Sequence, residues 1–136
     1  MIKVITDSKI LKTPLPKSTF TKEEQDLATA ALLTSVVEHK GLGMSANQIG
    51  LTKRICVINV KDEPLILVNP EIVSYAKDSV EGEEGCLSFP NLWLKVKRHS
   101  SINAKYFDRD GKECTIELKG MDAICFQHEL DHLDGI

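Results

Sequence analysis

The sequence has no CxxC pair, no long apolar run and no excess of positive charge. Its four cysteines stand at 56, 86, 114 and 125, too widely and irregularly spaced for a disulfide framework. A cysteine with a task here is a metal ligand or a reactive thiol, and three of the four are expected as small buried hydrophobes. No apolar stretch approaches the roughly 20 residues needed to cross a bilayer. The opening MIKVITDSKI has no basic region followed by a long apolar one, so no secretory signal is read there. Seventeen Lys plus Arg against twenty Asp plus Glu leave a net charge of -3, which offers no footprint for nucleic acid or an anionic membrane. Repeats and low-complexity tracts are absent as well. These absences point to a cytoplasmic protein. The chain has 136 residues, 42% of them hydrophobic and 27% charged, which predicts one globular domain over 1–136, expected as a monomer.

The order of elements reads as helix, sheet, helix. Two prolines make 12–20 a loop. Thr21 and Glu24 then form a T-x-x-E capping box that opens a helix over 22–40, with Leu27, Ala31 and Val37 at helical spacing and Gly41 as its stop. KRICVINV (53–60) and LILVNPEIV (65–73) are rich in β-branched residues, and 92–98 and 101–107 read as further strands. SINAKYFD and KECTIELK, joined by DRDG, predict a hairpin. MDAICFQHELDHL carries apolar residues at 121, 124, 125 and 133 before Gly135, a second helix. The fold class is α+β: mixed or antiparallel sheets around a C-terminal helix, with an N-terminal helix.

That C-terminal helix contains His128-Glu129-Leu130-Asp131-His132, an HExxH array. Residues four apart lie on one helix face, so both imidazoles can reach one metal ion, while Glu129 stands beside them to handle a proton from water. A catalytic site needs a third protein ligand, a carboxylate or a thiolate. Cys86 is the prominent option, in Glu84-Gly85-Cys86-Leu87-Ser88, where Gly85 lets a backbone or ligand approach closely. The segment Gly41-Leu42-Gly43-Met44-Ser45-Ala46-Asn47-Gln48 lacks the GK[ST] ending of a phosphate loop. It can expose backbone groups to an extended ligand, with the Gln48 amide as a neutral donor.

GLGMSANQ at 41–48, EGCLS at 84–88 and HELDH at 128–132, in this order, resemble the motifs GxGxAAxQ, EGCLS and HExxH of the peptide deformylases. VNPEI at 68–72 and the ending QHELDHLDG extend the resemblance over nearly the whole chain. It implies Cys86, His128 and His132 as metal ligands, Glu129 as general acid and base, and Gln48 with the Leu87 backbone N–H as oxyanion donors. It implies ferrous iron as the physiological ion, and the ligand set also suits zinc, nickel or cobalt. The implied substrate is the N-formylmethionyl end of a new polypeptide, lying along Leu42, Gly43 and Met44 as an added strand. Met121, Ile124 and Cys125 match positions of the methionine pocket, and Arg98 matches a position near its mouth. The reaction is hydrolysis of the formyl amide, releasing formate.

The match departs in two places. The motif's first alanine is Ser45, a hydroxyl that needs a hydrogen-bond partner if buried. The sequence also stops four residues after His132, short of the extension that contributes to ribosome docking in typical bacterial members. The expectation is either a short form similar to those encoded by bacteriophages or a truncated chain, with the ribosome as an open partner. His39 and His99 are expected at the surface, Asp131 and Asp134 in solvent, and Glu81, Glu83 and Glu84 in a solvated loop, with Glu84 steadying the Cys86 turn. Trp93 is either a wall of the substrate groove or a strand-start anchor. Two other classes fit the HExxH array. A zinc peptidase would bind its metal without Cys86, and a non-catalytic module would hold a four-ligand structural metal.

Overall fold

Strand Ile55–Val60 reads Ile-Cys-Val-Ile, and all four residues are buried. A strand is continuously apolar when both of its faces are covered, and helices cover both here. The computed structural model describes residues 4–6, 11, 12, 14, 15, 21–38, 41–51, 53–60, 63–86 and 89–136, with the backbone alone for 83, 85, 86 and 89–95. Its elements are α1 (Lys22–Glu38), β1 (Gly43–Ser45), a 3-10 turn (Ala46–Ile49), β2 (Ile55–Val60), β3 (Glu63–Tyr75), β4 (Ser79–Cys86), β5 (Phe89–His99), β6 (Ser101–Phe107), β7 (Glu113–Lys119) and α2 (Met121–Leu133). One sheet runs β1-β2-β3-β6-β7, and β4 pairs with β5 separately. Every described pairing is antiparallel. This is the expected α+β architecture.

Ile55, Val57, Ile66 and Val68 pack against Ala28, Leu32 and Val36 of α1. Cys56, Ile58, Leu67, Ile102, Ala104 and Leu118 face the other way, onto Ala123, Phe126, Leu130 and Leu133 of α2. The sheet is therefore the middle of three layers. The capping box forms, with Glu24 N–H donating to Thr21 Oγ1 at 3.1 Å and Thr21 N–H to Glu24 Oε1 at 3.3 Å. The hairpin forms too. Asp108 Oδ1 accepts from the N–H groups of Asp110 and Lys112, both at 2.9 Å, and Gly111 takes φ +80 to close the turn.

Three expectations fail. In α1, Leu27 and Val37 are exposed, and the inner stripe is Gln25, Ala28, Thr29, Leu32, Ser35 and Val36. Leu32 and Val36 are the large apolar residues of that stripe, with Ala28, Thr29 and Ser35 beside them, so Leu27 and Val37 lie on the other side of the helix. The acidic segment is strand β4 rather than loop: it pairs with β5 along Ser79–Gly85, in a register that sets Glu81 opposite Lys97. Cys56 and Cys125 are buried, but Cys114 is only half-buried. His39 lies outside the described residues.

Arg54 ties the layers together below α2. Its guanidinium donates to Leu15 O at 3.0 Å and pairs with Asp134 Oδ1 at 2.7 Å. Asp134, expected in solvent, is thus held. Gly135 takes φ +74 against the Lys12 backbone, where a Cβ would stand 2.5 Å from Lys12 O. Hydrogen bonds to a charged group contribute about 1.5–3 kcal/mol each. Arg54→Met is expected to lower stability by about 2 kcal/mol, a fall in Tm of about 7 °C for a chain of this size, measured by thermal denaturation.

Candidate metal centre

Helix α2 buries Ala123, Cys125, Phe126, Gln127, Glu129, Leu130, His132 and Leu133. From its third residue onward it is covered on most sides, and the HExxH array sits in the covered part. His128 Nε2 and His132 Nε2 are 3.3 Å apart. Two imidazole nitrogens each about 2.0–2.1 Å from one tetrahedral ion lie about 3.3 Å from one another. The pair therefore fits a metal. Burial, the neighbouring His128 and Arg98 push His132 down to about 4, so its ring is neutral and able to ligate near neutral pH.

His128 is oriented from behind. Its Nδ1 lies 3.1 Å from Glu84 Oε1, and a ligand imidazole that donates to a carboxylate turns its other nitrogen toward the metal. Glu84 is in turn gripped by Arg98, whose Nη2 is 2.9 Å from Oε1 and Nε 3.1 Å from Oε2. Arg98 also bonds Asp131 of α2. Burial would raise the Glu84 carboxyl, but the bonds from Arg98 and His128 outweigh it and hold it below its ordinary range. Asp131 is thus engaged rather than free in solvent. The Arg98 guanidinium is committed to two carboxylates and nearly covered, with 11% of the side chain exposed.

Glu129 is 3% exposed, and its Oε1 has no hydrogen-bond partner among the described residues. Burial pushes its carboxyl up to about 8, opposed by Arg98 and helped by Glu84. An orphaned buried carboxylate oxygen costs free energy unless something polar meets it. A water, or a ligand of an ion held by the two imidazoles, would be such a partner. The donor set and the orphan both fit a metal centre.

Strand β1 forms the wall opposite. A Cβ at Gly43 would stand 2.7 Å from Glu129 Oε2, 2.9 Å from Val57 O and 3.1 Å from Cys125 Sγ, so only glycine admits the carboxylate. Leu42 O accepts from Asn59 N–H at 2.9 Å and from Cys125 Sγ at 3.4 Å. Antiparallel alternation then turns the Gly43 N–H and C=O away from β2, toward the open edge of the sheet. Of the other sequence candidates, Met44 is fully buried in the α1 layer, Cys125 is buried, Ile124 is half-buried and Met121 is exposed. Gln48 is buried after β1, its Oε1 accepting Ser45 N–H at 3.0 Å.

The backbones of Gly85 and Cys86 end β4. The Cys86 and Trp93 side chains, and all of Leu87, lie outside the described residues, where no third ligand can be located. Sequence reading missed the Glu84–Arg98 pair, Asn47, whose Nδ2 donates to His132 O at 2.6 Å, and Gln127. Gln127 bonds both the N–H and C=O of His99 and fastens α2 to β5. His99, stacked on Tyr75 at 4.0 Å, is not a free surface residue. Glu84 did carry a signal, its place in EGCLS, but its partners are 14 and 44 residues away.

Two outcomes are expected. Gly43→Ala costs about 1–3 kcal/mol by overpacking, measured by urea denaturation. In metal-free protein, Glu129 binds its proton more tightly folded than unfolded. The stability this confers is complete below about pH 4.5 and lost as pH rises to about 8. Glu129→Gln has no such loss, so the variant gains on the parent steadily across that window in paired urea titrations, His132 being common to both.

A model of the polypeptide deformylase family matches residues 1–136. The peptide deformylase of Rhizobium meliloti is 36% identical over 98% of this chain and 79% of its own length. That of Hydrogenovibrio crunogenus is 38% identical over 90% of this chain and 72% of its own. Among solved structures, a class I type b peptide deformylase from Acinetobacter baumannii superposes with a TM-score of 0.93 at 28% identity, covering 100% of this chain and 95% of that one. A probable peptide deformylase from synechococcus phage S-SSM7 gives 0.90 at 32%, with the same coverage.

Proposed function

The chain belongs to the polypeptide deformylase family, metal-dependent hydrolases that remove the N-formyl group from nascent peptides, and on that premise we propose how its own residues do so. The observation that carries the reading is the buried Glu129 carboxyl, with Oε1 lacking a partner among the described residues and its pKa raised to about 8. Burial keeps that carboxyl out of bulk water, and a divalent cation held beside it would draw its raised pKa back toward neutrality, where a general base works best.

His128, His132 and the Cys86 thiolate would hold the ion. When bound, it supplies Lewis-acid polarisation of the formyl carbonyl and lowers the pKa of water in the site. Ferrous iron is the proposed physiological ion, with zinc, nickel or cobalt as substitutes, because one thiolate and two imidazoles accommodate all four. Glu129 takes the proton from the attacking water as its oxygen bonds to the formyl carbon. The Gln48 amide and the Leu87 N–H donate to the oxyanion that develops there. Glu129 then passes its proton to the departing nitrogen as the C–N bond breaks, giving formate and a free amino terminus. The peptide pairs with the outward backbone of Gly43 as an added strand. Ile124, Cys125 and Met121 flank the methionine side chain. The exposed Met121 becomes covered only when substrate lies on it. Arg98 serves from behind, through Glu84, rather than by touching peptide. The proposed place of action is the cytoplasm.

Protein loaded anaerobically with iron, or separately with nickel, is expected to release formate from formyl-Met-Ala-Ser and to leave the unformylated peptide intact. Chelation abolishes the release and metal restores it. Glu129→Ala keeps the metal and loses about 100- to 10,000-fold in kcat. No formate from folded, metal-loaded protein overturns the reading.

A further inference from the structure

We propose that Ser45 is a positioning residue, its hydroxyl locking the Gln48 carboxamide to Asn47 and thereby to the backbone of His132. The inference rests on the deformylase reading in one respect, that Gln48 donates to the developing oxyanion.

Ser45 is wholly buried, and so are Asn47 and Gln48. Ser45 Oγ lies 2.7 Å from Asn47 Oδ1 and 2.9 Å from Gln48 Oε1. Both amides have only one workable orientation. Asn47 must direct Nδ2 at the His132 carbonyl, 2.6 Å away, so its Oδ1 faces Ser45. Gln48 must direct Oε1 at the Ser45 N–H, 3.0 Å away, since the reverse would set two donors against each other. Two amide oxygens therefore converge on one hydroxyl proton, which they share. The motif that this segment resembles has alanine here, and a methyl group cannot donate. In this chain the serine adds the donor that joins the amide working at the oxyanion to the amide holding the metal helix. A loosened Gln48 would still let substrate bind, but it would lose aim where charge develops, so kcat rather than KM is affected.

The test uses Ser45→Ala and Ser45→Cys, the latter close in shape and a weak donor, so that a folded variant is available. In metal-free protein, 15N relaxation and hydrogen exchange of the Gln48 side-chain NH2 are measured. A fall in order and faster exchange in the variants are expected; a Gln48 signal identical to the parent's overturns the proposal. In metal-loaded protein, kcat for formyl-Met-Ala-Ser is expected to fall about 10-fold with KM within about twofold. Adding Ser45→Ala to Gln48→Ala is expected to cost nothing further. A full additive loss in that double variant overturns the link through Gln48, since a general packing defect would persist without the amide. If the parent protein releases no formate, the deformylase reading is what has failed, and the Gln48 resonances still decide the role of Ser45.

Discussion

Two imidazoles and a carboxyl on one buried helix have to be satisfied without bulk water, and the polar architecture of the molecule follows from that. Desolvation drives His132 toward its neutral form and Glu129 toward its protonated form. A neutral imidazole keeps a lone pair for a cation, and the 3.3 Å separation of the two Nε2 atoms matches that use. A cation so placed would draw the buried carboxyl back toward its ionised form.

Several segments around α2 hold it by fixed polar contacts. Strand β4 sends Glu84 to His128, and β5 sends Arg98 to Glu84 and Asp131. The 3-10 turn sends Asn47 to the His132 carbonyl, and Arg54 meets the helix end at Asp134. These are mostly charge-assisted bonds between elements far apart in sequence. They set the rotation of α2 about its axis and so the direction of its ligands, which packing of Phe126 and Leu130 alone would leave looser. Arg98, Arg54 and Glu84 are largely shielded from solvent, whereas Asp131 and Asp134 keep part of their surface in it, and shielded pairs do more for geometry than for net stability.

The sheet supplies the opposite constraint, closeness. Gly43 allows β1 to lie directly on the Glu129 carboxylate, and the alternation of β2 lets helices lie on both faces at once. A short edge strand with outward backbone groups is thereby brought to the mouth of a water-poor site. That is the place at which the proposed function has an extended peptide add as a strand.

Local sequence determined the elements whose signals are local. The Thr21–Glu24 capping box, the Asp-Gly hairpin and the apolar run of β2 each depend on neighbours within a few residues, and each formed as read. The HExxH spacing likewise determined that two imidazoles would share a helix face. Tertiary structure alone decided what covers that face. The buried stripe of α1 runs through Ala28, Leu32 and Val36, with Thr29 and Ser35, rather than through Leu27 and Val37; which of its apolar residues face inward was decided by where the sheet lies. The acidic stretch became strand β4 because β5, arriving from later in the chain, pairs with its backbone. Glu84, Asp131 and Asp134 became bonded rather than solvated because Arg98 and Arg54 reach them from other elements. Spacing along the chain reports which residues can share a helix or a turn; which charges meet across 14 to 80 residues is decided only when the layers close.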